Sequence, residues 1–213
     1  MSVPTLRDGS VTIRGIRLRD ARVLERELAA NRGWLRQWEA TNPNGPIGFD
    51  TRASIRSLQS NARTGAGIPF AIEVDGEFAG QLNVSSIAYG SLSSASIGYW
   101  VAERFAGRNV TPTAVALATD HCFFTVGLHR MEICIRPENE PSLRVVEKLG
   151  FRYEGLRRRF IHINGDWRDH FCFALTVEEL PQGVLRRWLD GKAPERDAAV
   201  PAADKAKAQK PLI

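Results

Sequence analysis

The sequence predicts an α/β (α+β) fold in which helices cover both faces of a mixed, largely antiparallel sheet. Three observations carry that expectation. Two-residue turn signals, Asp8-Gly9, Asp75-Gly76 and Asn164-Gly165, each lie between runs that read as strands. Segments with apolar residues at helical spacing stand between those hairpins. A strand face and a helix stripe must both bury their apolar side, and a sheet layered with helices serves both.

Each element has its own local reason. Residues 6–14 read as a hairpin closed by Asp8-Gly9, a pair that tolerates positive φ. Asp20 is placed to cap a helix carrying Ala21, Leu24, Leu28 and Asn31, which should stop near Gly33, before the aromatic stretch from Trp34 to Trp38. Asn42-Pro43-Asn44-Gly45-Pro46 reads as a loop, and residues 50–64 as a helix capped by Asp50 or Thr51. Strands are expected over 68–74, 78–87 and 95–101, with Ser91 to Ser94 as a turn. A helix over about 112–124 has Thr111 as its cap and Pro112 in its first turn. A strand over 129–135, a helix over 141–149 and a hairpin of strands over 152–163 and 167–175 follow. A weaker helix over 176–190, around Leu185, Trp188 and Leu189, closes the domain.

A single domain over residues 1–190 fits the length. Residues 191–213, rich in Ala, Lys, Asp and Pro with almost no apolar anchors, are expected to be a disordered tail. The composition, 43% apolar and 25% charged, is that of a water-soluble domain. No apolar run is long enough to span a membrane, and the N-terminus lacks the apolar core of a signal peptide, so a cytoplasmic protein is expected. Cys122, Cys134 and Cys172 lie among apolar neighbours without metal-ligand spacing and read as buried free thiols; no metal is implied. The net charge of +5 suits an anionic ligand such as a phosphorylated cofactor, without establishing nucleic-acid binding. The clusters Arg157-Arg158-Arg159 and Arg186-Arg187 read first as solvated charge and second as ligand or partner steering.

Two motifs carry chemistry. Arg104-Phe105-Ala106-Gly107-Arg108-Asn109-Val110 lies between a strand and a helix, where amides without intrahelical partners can converge on a diphosphate. Gly107 permits close backbone approach, and Arg104 and Arg108 can add charged contacts. The loop lacks the Gly-Lys-Ser/Thr of a Walker A motif and the glycine spacing of a dinucleotide fingerprint. A basic strand-to-helix loop with no ligand is the plainer reading. Asn139-Glu140-Pro141-Ser142 combines a helix cap, a rigid first turn and a serine that would point between parting strands. Taken alone, simple helix capping is the plainer reading. For acyl transfer from a thioester to an amine, Ser142 suits either positioning or protonation of the departing thiolate. Neither a Gly-x-Ser-x-Gly elbow nor a histidine-acid partner marks it as a covalent nucleophile.

Ala106-Gly107-Arg108-Asn109, Leu128-His129-Arg130-Met131-Glu132, Pro137 to Ser142 and Glu147 to Gly155 together resemble the GCN5-related N-acetyltransferase (GNAT) superfamily. The end of the core, Ile163-Asn164-Gly165-Asp166-Trp167-Arg168-Asp169-His170, is similar to its ribosomal-protein alanine N-acetyltransferase branch. The resemblance spans roughly residues 11–176 and is more specific in its second half. It implies a three-layer fold whose sheet splays between the fourth and fifth core strands, near Val101 and Ile135. It also implies acetyl transfer from acetyl-CoA to an α-amine by direct attack in a ternary complex. On that reading Val101, Arg104, Gly107, Arg108, Asn109, Val110 and Thr111 approach the cosubstrate's pyrophosphate side. Asn139 and Ser142 approach the pantetheine and sulfur and are the catalytic candidates, with Lys148 and Arg144 farther along toward the nucleotide end. Two positions depart from the family: Asn109 stands where a second glycine is common, and Thr113 where a glutamate is common.

The attacking amine must be neutral, and its free pKa of about 7.7 to 8.0 asks for only a weak base. A water held by Asp169, Glu73 or a backbone carbonyl can serve. His170 is chemically attractive, but alternation along a strand puts Asp169 and His170 on opposite faces. His121 and His129 are expected to be packed or solvated. Trp34, Trp38 and the loop through Gly48 are suited to wall an acceptor groove, although packing on the sheet explains Trp34 as well. The expected partner is a protein N-terminus, that of a ribosomal protein among them, with Ala or Ser first, met by a monomer or homodimer with no direct DNA binding and no membrane. The alternatives are acetylation of a small amine, of antibiotic or polyamine type, and a CoA-binding protein without turnover, for which Asn109 and Thr113 are the reasons.

Overall fold

A computed structural model describes residues 3–45 and 50–208. The loop positions Pro46 to Gly48 and the last five residues of the tail lie outside the described residues. The three turn signals form their hairpins. Strands β1 (Thr5–Asp8) and β2 (Val11–Gly15) meet at Gly9, while β3 (Ile68–Val74) and β4 (Glu77–Ala88) meet at Asp75 and Gly76. Asp75 and Gly76 have φ +50° and +84°, the left-handed pair that a two-residue turn requires. Strands β5 (Ser94–Val101) and β6 (Arg130–Ile135) follow, and Asn164-Gly165 joins β7 (Arg152–Ile163) to β8 (Asp166–Thr176).

The eight strands form one sheet in the order β1-β2-β3-β4-β5-β6-β8-β7. Every neighbouring pair is antiparallel except β5 and β6, which are parallel. Their pairing runs only from Ser94 opposite Arg130 to Ser96 opposite Glu132. Beyond it β5 continues to Val101 and β6 to Ile135 without a ladder between them. The sheet therefore splays where it was expected to, between the fourth and fifth strands once the edge strand β1 is set aside.

Alternation along β3 shows how the layers are held. Phe70, Ile72 and Val74 pack into the main core with Ala114 and Leu117, while Ala71 faces the opposite side with Leu24 and Ile55. That second layer comes from α1 (Ala21–Ala30), the short α2 (Arg32–Leu35) and α3 (Thr51–Thr64). The main core is closed by α4 (Val110–His121) and α5 (Glu140–Leu149). Helix α4 is buried almost all round, as an apolar helix without a polar stripe must be. It runs into a π-helical turn, Cys122–Val126, that stops at Gly127.

Several local expectations need correction. Asp50 caps α3 through the Arg52 and Ala53 amides, but Asp20 does not cap α1 with its side chain. Its carboxylate instead binds the Arg14 guanidinium at 2.7 and 3.0 Å and the Arg17 amide at 2.8 Å. Helix α1 does stop short of Gly33, at Ala30, but a separate short helix, α2, then carries Gly33 and the start of the aromatic stretch. Helix α4 starts two residues before Pro112, with Asn109 rather than Thr111 as its cap residue. The weak helix of 176–190 shrinks to α6 (Val184–Leu189), since Pro181 and Gly183 interrupt it and Asp120 collects the Val184 and Leu185 amides. The tail through residue 208 is ordered. A 3-10 turn (Glu195–Ala198) and α7 (Ala202–Ala208) fold back, Ala198 is buried, and Val200 and Ala208 pack on the core. Tyr153 donates to Asp204 at 2.9 Å, an anchor that composition could not reveal. The basic clusters are also largely engaged: Arg158 pairs with Asp169, and Arg187 donates to the Leu149 and Gly150 carbonyls.

Candidate active site

The loop from β5 to α4 forms a cradle at the mouth of the splay. Gly107 and Asn109 both take left-handed backbone, φ +74° and +57°. A Cβ on Gly107 would meet nothing within 4 Å, so its φ rather than crowding calls for glycine. Asparagine is among the few side chains that accept such a φ, which is how Asn109 keeps the loop's shape. The first helical amide bond joins Thr113 N to Asn109 O at 3.1 Å, so the Val110 and Thr111 amides precede any intrahelical acceptor. Thr113 is buried and its hydroxyl donates to the same carbonyl at 2.9 Å, bracing the loop instead of facing the cleft. Asn109 reaches across with its side chain, accepting from Lys148 Nζ at 2.8 Å. The cleft's walls thus bring together Val101, Gly107, Asn109, Val110, Thr111, Asn139, Ser142 and Lys148, with Arg144 alongside.

Two expected residues are not brought in. Arg104 binds Glu27 at 2.5 Å and Glu77 at 2.8 Å, behind the loop, and holds the Glu27 carboxyl below its usual range. Arg108 lies over the Phe105 ring, 5.6 Å from its centroid. Neither side chain lines the cleft. Their task is to fix the loop from outside, leaving the backbone amides as the inward-facing donors.

Helix α5 opens at the floor of the cleft. Asn139 Oδ1 accepts from the Ser142 amide at 3.2 Å, so the capping role is real. Ser142 and Asn139 also line a second cavity on the other side of the splay, as do Trp38 and Tyr99. These four residues are the junction between the two spaces. The Tyr99 hydroxyl oxygen is buried and closes no hydrogen bond; Ser142 is its polar neighbour. Burial pushes this phenol well above its ordinary value, and Ser142 offsets only part of that. Sequence reasoning passed over Tyr99, although Gly98-Tyr99-Trp100 stands on the strand that leads into the cradle.

The second cavity is walled by Ala40, Ile133, Cys134, Arg136, Ile161 and His170. Arg136 shapes its entrance, donating to the Gln37 carbonyl at 2.6 Å and lying 5.3 Å from the Trp38 ring centroid. The segment after α2 is tied to the β7–β8 hairpin by the Ala40–Ile163 bridge and by Thr41 N to His162 O at 2.8 Å. Trp38 lines both spaces, as expected for a wall of an acceptor groove, whereas Trp34 lines only the cleft on the cradle side. Asp169 and Glu73 are placed elsewhere. Asp169 clamps a bulge in β7 through Arg158 at 2.8 Å and the Arg159 amide at 2.7 Å, and Glu73 pairs with Arg14 at 2.7 Å.

A strand-to-helix amide cradle beside a splayed parallel pair is the geometry that the sequence resemblance implied. The family model of the GNAT acetyltransferase domain matches residues 10–152. The chain belongs to the GNAT acetyltransferase family. It is an acetyl-CoA-dependent N-acetyltransferase. The solved structure of Mycobacterium smegmatis RimJ in complex with CoA-disulfide is 40% identical, with TM-score 0.81, covering 89% of this chain and 93% of that one. The [ribosomal protein uS5]-alanine N-acetyltransferase of Escherichia coli (strain K12) is 27% identical over 178 residues, 81% of this chain and 91% of that protein. "Probable N-acetyltransferase YjcK" of Bacillus subtilis (strain 168) is 38% identical over 101 residues, which is 47% of this chain and 56% of that protein. The similarity to the ribosomal-protein alanine N-acetyltransferase branch is thus borne out.

In this GNAT fold the two cavities meeting at Ser142 suit a two-substrate reaction, each substrate entering from its own side. No metal-holding group of three or more His, Cys, Asp or Glu occurs among the described residues. Nor is any helix among them long and apolar enough to cross a membrane. Cys134 is a poor nucleophile here: its thiol lies 2.9 Å from that of Cys172, which together with burial holds its proton firmly. A covalent cysteine route gains no support from that environment.

Proposed function

We propose that this enzyme acetylates the α-amine of a protein N-terminus beginning with alanine or serine, that of a ribosomal protein first among them. The observation that carries the reading is the character of the second cavity. Its walls are mainly aliphatic and aromatic, their charge-bearing members are the basic Arg136 and His170, and they include no aspartate or glutamate. A polyamine or a polycationic drug carries several charges that need acidic partners. A peptide N-terminus presents one amine and an otherwise neutral backbone. The E. coli relative, by its name, acetylates the alanine of ribosomal protein uS5. A site of action in the cytoplasm follows from such a substrate.

Each site residue has a role in this reading. The Gly107, Val110 and Thr111 amides hold the pyrophosphate of acetyl-CoA at the start of α4. Lys148, steered by Asn109, adds positive charge toward its nucleotide end. Ser142, fixed by the Asn139 cap, orients the thioester and meets the sulfur as it leaves, with Tyr99 beside it. The loop shape kept by Asn109 and the bond made by Thr113 support turnover over a binding-only role.

Turnover of acetyl-CoA against a mixed panel of N-terminal peptides and small amines, read by mass, tests the proposal. Acetylation of Ala- or Ser-starting peptides, well above any small amine, is expected. Preferred acetylation of a polyamine or aminoglycoside overturns it.

A further inference from the structure

Attack on a thioester leaves the amine nitrogen with a proton to lose, so some group must take it. Neither cavity that meets at Ser142 has a carboxylate on its walls. The carboxylates of the flanking strands are committed elsewhere: Asp169 to Arg158 and the Arg159 amide, Glu132 to Arg130 and Arg157. On the acceptor side, Tyr99 and Cys134 hold their protons, and Arg136 has no lone pair to offer. His170 is the one remaining titratable side chain on that wall.

Its surroundings suit the task. The residue is 3% exposed, and Nδ1 lies 3.0 Å from the Arg168 carbonyl. A carbonyl can only accept, so Nδ1 carries the hydrogen and Nε2 keeps its lone pair. Burial lowers the imidazole below its ordinary value. The Arg168 carbonyl opposes this, Arg136 adds to it, and Glu138 and Asp169 oppose it; the net direction is down. Phe160 meets the ring edge-on at 5.7 Å, and Arg157, opposite on β7, is turned to Phe160 and Glu132. The imidazole is therefore neutral at physiological pH and ready to accept.

We infer that His170 is the general base of the acetyl transfer, accepting the amine proton at Nε2. The nitrogen lone pair forms the N–C bond, the C–S bond breaks with its pair leaving on sulfur, and the nitrogen proton passes to Nε2. Sulfur gains a proton from the Ser142 side or from water, and the imidazolium returns its own to solvent. The inference rests on the acetyltransferase reading but not on the acceptor proposed above.

The test uses His170→Asn, which keeps a donor for the Arg168 carbonyl, and His170→Gln, which keeps bulk near Nε2. Both are measured on whichever primary amine the wild-type chain acetylates, so a wrong acceptor class leaves the test standing. Wild-type kcat at saturating substrates should fall as pH drops through a value below about 6.5, the ordinary histidine pKa. Both variants should lose about 100-fold or more in kcat. They should bind CoA within about twofold of wild type by calorimetry, lose that acid limb, and regain activity with added imidazole. Variant kcat within about threefold of wild type overturns the inference. So does a loss of kcat that leaves the acid limb intact, since that pattern belongs to packing alone.

Discussion

The junction residues act through single contacts that can be removed one at a time. Ser142 needs no base to do its work, because its position comes from the Asn139 cap. Ser142→Ala is expected to lower kcat roughly 100-fold, the low end for a group that meets a proton in flight, with the melting temperature nearly unchanged. Steady-state kinetics beside a thermal melt separates the two effects, and wild-type kcat in the variant removes Ser142 from the mechanism. Asp20 gives a prediction about stability. Burial by itself would raise its carboxyl, yet the Arg14 fork and the Arg17 amide outweigh burial and hold it below its ordinary value. A carboxyl lowered in the folded state stabilises fully above its unfolded value near pH 4. That contribution is lost as pH falls through the lower folded value. Asp20→Asn, which leaves Arg14 with Glu73 as its remaining carboxylate, should cost about 2 kcal/mol at neutral pH. Denaturant melts at pH 7 and pH 3 should show the gap from wild type narrowing in acid.

At the scale of elements, the site depends on a strand that cannot move. β4 crosses close to the end of β5 at Gly80, where an added Cβ would stand 2.1 Å from the Trp100 carbonyl and 2.8 Å from Val101 Cα. Both neighbours are backbone, so neither can turn aside. The register between β3 and β4 slips nearby, at Ile72 and Glu73, and seats this glycine against β5. Gly80→Ala should therefore destabilise by about 3 kcal/mol, in the upper range for overpacking. It should also weaken acetyl-CoA binding, since Val101 leads directly into the cradle. A melting temperature within a degree or two of wild type would show that β5 yields more than this contact allows. The β7 bulge is the matching device on the other side. Arg159 takes φ +47° there, and Asp169 holds the kink while His170 keeps the cavity face.

On the scale of the whole molecule, the C-terminal segment completes the core. Gly150 ends α5 at φ +68°, and the Pro194 ring occupies the space beside it, 2.6 Å from where a Cβ would stand. Ala198, Val200 and Ala208 pack behind α5 and β7, with the Tyr153–Asp204 bond as an anchor. Deleting residues 192–213 should uncover this surface and cost about 3 kcal/mol, the worth of one or two buried aliphatic side chains. The melting temperature would fall by roughly 6 to 12 °C for a chain of this size. An unchanged melt would mean that the segment rests on the core without supporting it.

The sequence by itself determined what local physics can settle. Turn pairs needing positive φ placed the hairpins, Asp50 and Asn139 placed the caps, and helical spacing placed α3 and α5 within a residue or two. The two motifs with Trp34 and Trp38 marked most of the cleft wall. Long-range partners decided the rest. Arg104 looked like a phosphate ligand because nothing local shows Glu27 and Glu77 waiting behind it. Asp169 was one candidate to hold a catalytic water, and the β7 bulge claims its carboxylate instead. The tail looked disordered because its few anchors meet residues distant in the chain. Tyr99 gained meaning only when the splay of β5 from β6 opened cavities beside it, and His170, attractive from its chemistry alone, gained its place on a cavity wall there. Backbone preference and capping act within a few residues and can be read along the chain. Whether a charge faces a ligand, a partner or solvent depends on which other element folds against it.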